Sequence, residues 1–335
     1  MPWKGEPDPY RIWLSEIILQ QTRVEQGLAY YKKFITVYPG ILDLAKASEK
    51  EIFKYWEGLG YYSRCKNLIA TAKKIASEYD GRFPSSYAQI LSLPGIGPYT
   101  AAAIASFAFG LPHAVVDGNV QRVLARYFGM STPAGSAAGK KLFTDIAGRL
   151  LDRKDPAVYN QAIMDFGATI CKPKNPLCSE CIQAKNCQAH LKGWVSQLPA
   201  KTQAAVRKKR WLYYFVICAG KDKIWIRKRM ANDIWQNLYE FVLFETGKII
   251  PQDKIRQSAF YKDHFGKQGF RIRHISPAYT QTLTHQVITG YFVHLDKSLP
   301  EMAGYESVPG KKLKDYPFPK FIADYFKIYP GFKSW

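Results

Sequence analysis

Residues 93–101 read LPGIGPYTA and decide the fold of the first half of the chain. Two glycines stand two positions apart, and a proline follows where a helix can begin, which is typical of a tight hairpin between helices. The backbone N–H groups of such a hairpin can bind a phosphate without any charged side chain. Gly95 and Gly97 are therefore candidate phosphate contacts, with an ordinary helix–helix turn as the alternative interpretation.

Amphipathic helices are predicted on both sides of this hairpin. Segments 10–34 and 63–79 carry apolar residues at the i, i+3, i+4 and i+7 spacing of a helix. Short breakers separate them, YPG at 38–40 and DGRFP at 80–84. Helices joined by short loops predict an all-α bundle over residues 1–194.

Four cysteines crowd a short loop at the end of this bundle. Cys171, Cys178, Cys181 and Cys187 fall within 17 residues, with the spacing C-x6-C-x2-C-x5-C. The chain shows no recognisable export signal, so a metal centre is favoured over disulfides. A zinc ribbon normally uses two C-x2-C knuckles and only one is present, whereas a 4Fe-4S cluster suits four thiolates from one compact loop. The spacing favours iron–sulfur and leaves zinc as the alternative.

Two acidic residues stand in opposite surroundings. Asp117 follows two valines and precedes a predicted helix, where it can serve as the N-cap and where the helix N-terminus favours its ionised form. Glu16 lies among the apolar residues of segment 13–19, so burial would raise its pKa. Acid-assisted cleavage of a glycosidic bond requires two carboxylates whose pKa values are separated in this way. The alternative for Glu16 is a glutamate on a helix surface.

The chain as a whole is strongly basic. Its 335 residues include 48 Lys and Arg against 27 Asp and Glu, a formal net charge of +21. This excess favours a polyanionic partner, most often nucleic acid, with an anionic membrane surface or simple solubility as alternatives. No apolar run approaches the roughly 20 residues that span a bilayer. We therefore expect a cytoplasmic, nucleoid-associated protein that does not enter a membrane.

A second domain is predicted after the cysteine loop. Residues 195–210 have no helical apolar stripe and end in a basic run, which is typical of a linker. Residues 211–229 then indicate a strand, a turn and another strand. Further extended stretches follow at 240–245, 270–275 and 289–295. Residues 211–335 are therefore predicted to form an α+β domain.

Several segments together carry a family resemblance. They are WLSEIILQQTRV (13–24), GLGYYSRCKNL (58–68), LPGIGPYTAAAI (93–104), VVDGNVQRVLAR (115–126) and YNQAIMDFGATIC (159–171). They resemble the helix-hairpin-helix DNA glycosylases of the endonuclease III superfamily, and most closely the MutY-type adenine DNA glycosylases. The resemblance implies a multidomain protein with an all-α helix-hairpin-helix glycosylase domain, a four-cysteine 4Fe-4S loop and an α+β Nudix-like C-terminal domain. It also implies a monomer that excises adenine opposite 8-oxoguanine or guanine from double-stranded DNA in base excision repair.

The resemblance implies catalytic roles for four residues. Glu16 would protonate the adenine, and Asp117 would stabilise the sugar cation as an anion or by a transient covalent bond. Tyr99 and Asn119 would position these groups. Bifunctional members of the superfamily carry a lysine nucleophile where Tyr99 stands. Cleavage of the glycosidic bond without efficient strand cleavage is therefore expected.

Other positions match substrate contacts of the family. Gln20, Gln21 and Tyr61 stand where the family fills the gap in the duplex or wedges it open. Trp3 and Gln161 stand near the position of the extruded adenine. Packing is the alternative interpretation of Gln20, Gln21 and Tyr61, and it applies most to Tyr61.

The second domain resembles the Nudix-like domain of the same family. The carboxylate-rich Nudix box is missing, because neither R-E nor E-E occurs anywhere in the chain, and this excludes metal-dependent pyrophosphatase chemistry there. The family reads 8-oxoguanine with a Phe-Ser-His loop, which corresponds here to Leu283, Thr284 and His285. Thr284 keeps a hydroxyl that can bind a base edge, whereas Leu283 replaces the aromatic ring. A satisfied strand-end histidine is the alternative for His285.

Two rival functions remain open at this point. A bifunctional glycosylase/lyase for oxidised pyrimidines is disfavoured by Tyr99. A catalytically silent iron–sulfur protein that only binds lesions is disfavoured by the presence of both Glu16 and Asp117. In each case the cluster is expected to order a loop that brings Lys172 and Lys174 to DNA phosphate.

Overall fold

The computed structural model describes residues 5–200, 206–220 and 222–328. The chain divides into two compact units, residues 1–46 with 66–204 and residues 47–65 with 205–335. This division differs from the one expected from the sequence, which placed 47–65 in the helical domain. Across the described residues, no helix combines the length and hydrophobicity needed to cross a membrane.

The first unit is helical, as the apolar periodicity predicts. Its helices are α1 (Pro9–Leu19), α2 (Val24–Val37), α3 (Ile41–Lys46), α5 (Tyr62–Glu78, which begins in the second unit), α6 (Tyr87–Leu91), α7 (Pro98–Phe109), α8 (Gly118–Phe128), α9 (Ala137–Leu150), α10 (Pro156–Thr169) and α11 (Gln188–Leu191). Helix α4 (Glu49–Trp56) belongs to the second unit. Short 3-10 turns, Cys178–Glu180 and Ala184–Asn186, shape the cysteine loop.

Helices α1 and α7 pack against each other in the middle of the first unit. Helix α7 starts with Pro98 at its first turn, where a missing N–H costs nothing. Its small residues Ala101, Ala102, Ala103 and Ala105 are buried, so α1 can approach closely and bury Trp13 and Ile17. This packing fixes the N-terminal turn of α7 beside the middle of α1.

The helical pattern of segment 10–34 is interrupted in the structure. Helix α1 ends at Leu19, and α2 starts only at Val24. Gln21 adopts a left-handed backbone with φ of 56°, a conformation that ends a helix. Periodicity alone cannot reveal this break, because the apolar spacing continues across it.

The second unit contains a mixed sheet. Its strands are β1 (Lys208–Cys218), β2 (Lys223–Lys228), β3 (Tyr239–Glu240), β4 (Val242–Thr246), β5 (Ile272–Ile275), β6 (Tyr279–Thr282), β7 (Gln286–Ser298) and β8 (Glu306–Pro309), with helices α12 (Ala259–His264) and α13 (Lys320–Ile328). The main path runs β3-β2-β1-β7-β5, while β4 pairs with β1, β6 with β7 and β8 with β2. Strand β1 begins inside the predicted linker 195–210, and the predicted strand–turn–strand is present.

Both faces of the central strands β1 and β7 are covered. These strands run parallel, with Tyr213 opposite Tyr291, and the two rings stack with centroids 5.3 Å apart. On the opposite face, Tyr214 stacks on Phe292, which in turn stacks on Tyr325 of α13 at 3.7 Å. Helical elements therefore pack on a sheet, which agrees with the α+β prediction.

Segment 47–65 is tied to the end of the second unit by polar contacts. The Lys54 amine donates to the carbonyl of Tyr316 at 3.2 Å, and the N–H of Phe318 donates to Glu57 at 3.1 Å. The Tyr62 hydroxyl donates to the carbonyl of Phe318 at 3.4 Å. These partners are about 260 positions apart in sequence, so no local pattern could predict them.

Candidate active site

A cavity of about 550 Å³ opens among the helices of the first unit. All four predicted catalytic residues line it: Glu16, Tyr99, Asp117 and Asn119. The volume lies in the range of pockets that enclose a small organic group. Elements far apart in sequence thus bring the predicted catalytic side chains to one place.

Glu16 has the perturbed environment expected from its neighbours. It lies on α1, where Trp13, Ile17 and Ile18 are buried around it. Burial raises the pKa of Glu16 to about 7, a hydrogen bond donated by the Tyr99 hydroxyl lowers it in part, and the charge of Asp117 raises it further. The side chain can therefore carry a proton at neutral pH.

Tyr99 holds the Glu16 carboxyl from the first turn of α7. Burial, followed by the charges of Glu16 and Asp117, raises the pKa of the Tyr99 phenol far above its ordinary value. The phenol therefore stays protonated and acts as a hydrogen-bond donor. Its position depends on the packing of α1 against α7.

Asp117 caps helix α8 and faces the same cavity. One carboxylate oxygen accepts from the N–H of Val120 at 2.7 Å, as the N-cap interpretation predicts. The other oxygen accepts from the side-chain amide of Asn119 at 2.7 Å. Two donors and the N-terminus of a helix hold this carboxylate in a fixed orientation.

Arg122 holds Asn119 in place beside Asp117, and sequence reasoning did not identify it. Its Nη2 donates to the side-chain oxygen of Asn119 at 2.8 Å and to the carbonyl of Gly167 at 2.7 Å. Its Nε donates to the carbonyl of Cys171 at 2.7 Å. Arg122 therefore fixes the amide of Asn119, whose other end holds Asp117. Its place five residues after Asp117, in the helix that Asp117 caps, is the only sequence signal for it.

Helix α10 must also approach Asn119 closely. A Cβ atom on Gly167 would stand 2.7 Å from the Cβ of Asn119 and 3.0 Å from its carbonyl oxygen. A side chain at Gly167 would therefore displace Asn119. This glycine too was missed by sequence reasoning.

Two of the predicted adenine and duplex contacts, Gln20 and Gln161, line the cavity. Gln20 lines the cavity and its amide donates to the Thr100 hydroxyl at 3.2 Å. The side-chain amide of Gln161 donates to Asp165 at 3.0 Å. Gln21 is exposed at the helix break. The predicted residue Trp3 lies outside the described residues.

Two further predicted contacts meet within the second unit. The hydroxyl of Tyr61 lies 2.9 Å from the hydroxyl of Thr284. Tyr61 is 42% exposed and adopts a left-handed backbone with φ of 46°. The side chains of Thr284 and His285 are exposed as well, and Leu283 is half-buried. The alternative of a packed Tyr61 does not fit its exposure.

The predicted hairpin has the geometry that its glycines allow. Gly95 has a φ of 72°, and a Cβ atom there would stand 2.5 Å from the Cβ of Asn67. The hydroxyl of Thr71 donates to the carbonyl of Pro94 at 2.7 Å and secures the turn from α5. Gly97 is the N-cap of α7 and has open space around it.

The two hairpin glycines should differ in their tolerance of alanine. Gly95→Ala is expected to lower the free energy of unfolding by about 1–3 kcal/mol, because the left-handed backbone and the close contact with the Asn67 side chain both oppose a Cβ atom. Gly97→Ala, with φ of −92° and open space, is expected to cost less than about 1 kcal/mol. Urea unfolding of both variants measures the difference, and equal losses would contradict the steric argument.

The four clustered cysteines line a second, much smaller cavity. It measures about 30 Å³, and Cys171, Cys178, Cys181 and Cys187 all contribute to its wall. Arg126 donates to the sulfur of Cys171 at 3.4 Å. Within the described residues, no group of three or more His, Cys, Asp or Glu side chains has the arrangement of a metal site.

Comparison with known proteins identifies the family. A profile of the HhH-GPD superfamily base excision DNA repair proteins matches residues 14–144, and a NUDIX domain profile matches residues 213–327. The adenine DNA glycosylase of Buchnera aphidicola subsp. Baizongia pistaciae is 37% identical over 248 residues, which are 73% of this chain and 69% of that protein. The chain belongs to the adenine DNA glycosylases. The human adenine DNA glycosylase is 39% identical over 209 residues, 60% of this chain and 38% of that protein.

One solved structure is similar to this adenine DNA glycosylase family member at the level of the fold. It is a thermostable thymine-DNA glycosylase, with a TM-score of 0.53 and 34% identity, which covers 57% of this chain and 88% of its own. That protein is named for a different base. The shared fold therefore does not determine the target base, which has to come from the site itself.

The raised pKa of Glu16 predicts how the rate of this adenine DNA glycosylase depends on pH. The predicted role of Glu16 as the proton donor requires its acid form, and burial raises the pKa of this side chain to about 7. The single-turnover excision rate should therefore be constant below that pH and fall about tenfold per pH unit well above it. Rates measured at saturating enzyme from about pH 5.5 to 9 test this. A flat profile would mean that Glu16 is not the acid.

Proposed function

We propose that the enzyme hydrolyses the N-glycosidic bond of adenine opposite 8-oxoguanine, or guanine, in duplex DNA. The observation that carries this proposal is the pair of carboxylates in one cavity, Glu16 with a raised pKa and Asp117 held by two donors at a helix N-terminus. Acid-assisted glycosidic cleavage needs such a pair. The family relationship supports adenine as the target base.

The proposed reaction begins with extrusion of adenine from the duplex into the cavity, at a cost of a few kcal/mol. Glu16 donates its proton to N7, and Tyr99 keeps the Glu16 carboxyl oriented. The C1′–N9 bond then breaks, and both of its electrons leave with the base. Asp117 stabilises the resulting positive charge on the sugar, held in place by Asn119. Water adds to C1′ and loses a proton, which leaves an abasic site and neutral adenine.

Strand cleavage is not part of the proposed activity. A lyase needs an amine that attacks C1′ and forms a Schiff base. Tyr99 occupies the position at which the sequence resemblance places that lysine, and no lysine lines the cavity in the described part of the chain. The expected product is therefore an intact strand with an abasic site.

A 4Fe-4S cluster on the four cysteines is also part of the proposal. The donor set fits, because four thiol side chains line one small cavity. Four-thiolate ligation is what such a cluster requires. When bound, it would cross-link the loop and so order the segment that carries Lys172 and Lys174, whose charges can contact phosphate. The hydrolysis itself transfers no electron.

We propose that the second unit recognises the base opposite adenine. Thr284 offers a hydroxyl that can donate to or accept from a base edge, and Tyr61 presents an exposed ring beside it. A ring with this exposure can wedge between bases, and His285 follows directly on the same turn. We expect the enzyme to act as a monomer, in the compartment that holds the chromosome.

Single-turnover cleavage of four duplexes tests the proposed function. They carry adenine opposite 8-oxoguanine, adenine opposite guanine, thymine opposite guanine, and thymine glycol, each read with and without alkali. Strand breaks on the adenine duplexes that appear only after alkali support the proposal. Alkali-dependent breaks on thymine opposite guanine would instead show that thymine is the target base, as the name of the thymine-DNA glycosylase says of that protein. Breaks without alkali on thymine glycol would indicate a lyase. Tight binding with no cleavage would indicate a lesion sensor.

A further inference from the structure

The exposed turn that carries Thr284 has a fixed backbone. Strands β6 and β7 form a hairpin whose closing bond runs from the N–H of Leu283 to the carbonyl of Gln286, at 2.8 Å. The N–H of Lys208, at the start of β1, donates to the carbonyl of His285 at 3.0 Å. A two-residue turn with an exposed side chain is thus anchored on a strand at its base.

A buried amide at the base of the turn provides a second anchor. Gln286 is only 4% exposed, and its side-chain oxygen accepts from Nη1 of Arg210 at 3.4 Å. The guanidinium of Arg210 is itself immobilised by Glu245, at 2.7 Å from both Nε and Nη2, and by Asp233, at 3.0 and 2.9 Å. Two bidentate carboxylates leave Arg210 a single orientation.

The carboxylates around Arg210 belong to a balanced ion network. Arg229 contacts Asp233 at 2.6 Å and also contacts Glu240. Arg227 contacts Glu240 at 3.0 Å from the rim, with 41% of its side chain exposed. With Arg210 and Glu245, three cations face three anions. Buried ion pairs contribute little net stability. The main effect of this network is therefore to hold its side chains in fixed orientations.

We propose that Arg210 and Gln286 are positioning residues for reading the base opposite adenine. Neither side chain touches DNA in this proposal. Arg210 fixes Gln286, and Gln286 fixes the turn, so that the Thr284 hydroxyl meets a base edge in one place, next to Tyr61. The proposal rests on the proposed function, because it assigns the specificity of that activity to the network beneath the turn.

Gln286→Met tests this proposal with the least damage to the fold. Methionine has a similar volume, and the four bonds from Arg210 to its carboxylates remain. The ratio of excision rates, adenine opposite 8-oxoguanine over adenine opposite guanine, is expected to fall about 3- to 10-fold, the effect of one lost hydrogen bond. The rate opposite guanine should stay unchanged. Gln286→Glu keeps an acceptor for Arg210 and should retain the wild-type ratio.

Arg227→Gln is the matched control, because it removes a charge from the same network without any bond to the turn. It should leave the ratio within about twofold. If Gln286→Met fails to fold, Arg210→Lys replaces it, since lysine keeps the charge but cannot hold the amide and two carboxylates together. A folded Gln286→Met with the wild-type ratio, or an equal loss in Arg227→Gln, would overturn the proposal. A wild-type enzyme with equal rates on the two duplexes would likewise overturn it, whereas one that excises adenine from neither duplex would contradict the proposed function.

Discussion

Replacing Glu16 by glutamine is expected to slow adenine excision by about 10²- to 10⁴-fold, the range for loss of a general acid. Glutamine has nearly the same shape and can still accept the hydrogen bond from Tyr99, so the cavity should persist. It has no proton to give at neutral pH, whereas the pKa of Glu16 is raised to about 7 by burial. Single-turnover excision and DNA binding, measured on the same preparation, separate the loss of chemistry from a loss of affinity.

Glu25→Gln supplies the control for this measurement. Glu25 is an exposed glutamate in the first turn of α2, outside the cavity. Its substitution should leave the rate within about twofold. If Glu16→Gln kept more than a tenth of the wild-type rate, the proton would have to come from another group, and the assignment of Glu16 as the acid would be wrong.

Replacing Asp117 by asparagine is expected to slow excision by about 10²- to 10³-fold with little change in stability. Asparagine caps a helix about as well as aspartate, so the bond to the N–H of Val120 can be kept. What is lost is the negative charge beside the sugar. Excision rate and thermal midpoint together test this, because activity and capping depend on different properties of the same side chain.

Asp117→Ala tests the contribution of the helix cap to stability. Alanine removes the cap as well as the charge, so it should lower the free energy of unfolding by about 0.5–2 kcal/mol in addition to the rate. An asparagine variant as active as the wild type would show that Asp117 only caps α8. The proposed mechanism would then lack its anion.

Local rules pointed to two of the four predicted catalytic residues, Asp117 and Glu16, whereas Tyr99 and Asn119 were predicted from the family resemblance. Asp117 lies where a strand-like stretch meets a helix, and an acidic N-cap is favoured there whatever the tertiary fold. Glu16 lies among apolar neighbours on one helix, which predicts burial and hence its raised pKa. The hairpin was predicted by a local rule too, because glycine tolerates the left-handed backbone that Gly95 adopts. The roles of the four catalytic residues, like the 4Fe-4S cluster, remain predictions for experiment.

The supporting residues could not be predicted because their roles depend on partners far away in sequence. In the sequence, Arg122 is an ordinary arginine within a helix. In the fold, α10 and the cysteine loop each place a carbonyl within hydrogen-bond distance of it. In the same way, Gln286 is an ordinary strand residue in the sequence, and only the pairing of β7 with β1 brings Arg210 into hydrogen-bond contact with it. A propensity or a spacing describes neighbours along the chain, and neither describes which helix or strand packs against which.

The placement of segment 47–65 within the second unit has a consequence for how the protein is made. A ribosome releases this segment roughly 250 residues before Tyr316 and Phe318, its hydrogen-bond partners. Contacts of such long sequence separation form late and slowly. The nascent chain must therefore carry a complete four-cysteine loop and a stretch at 47–65 that still lacks its partners. A translation pause or a chaperone would therefore have its largest effect on the folding of the second unit. Cutting the chain after residue 200 would leave segment 47–65 without these hydrogen-bond partners.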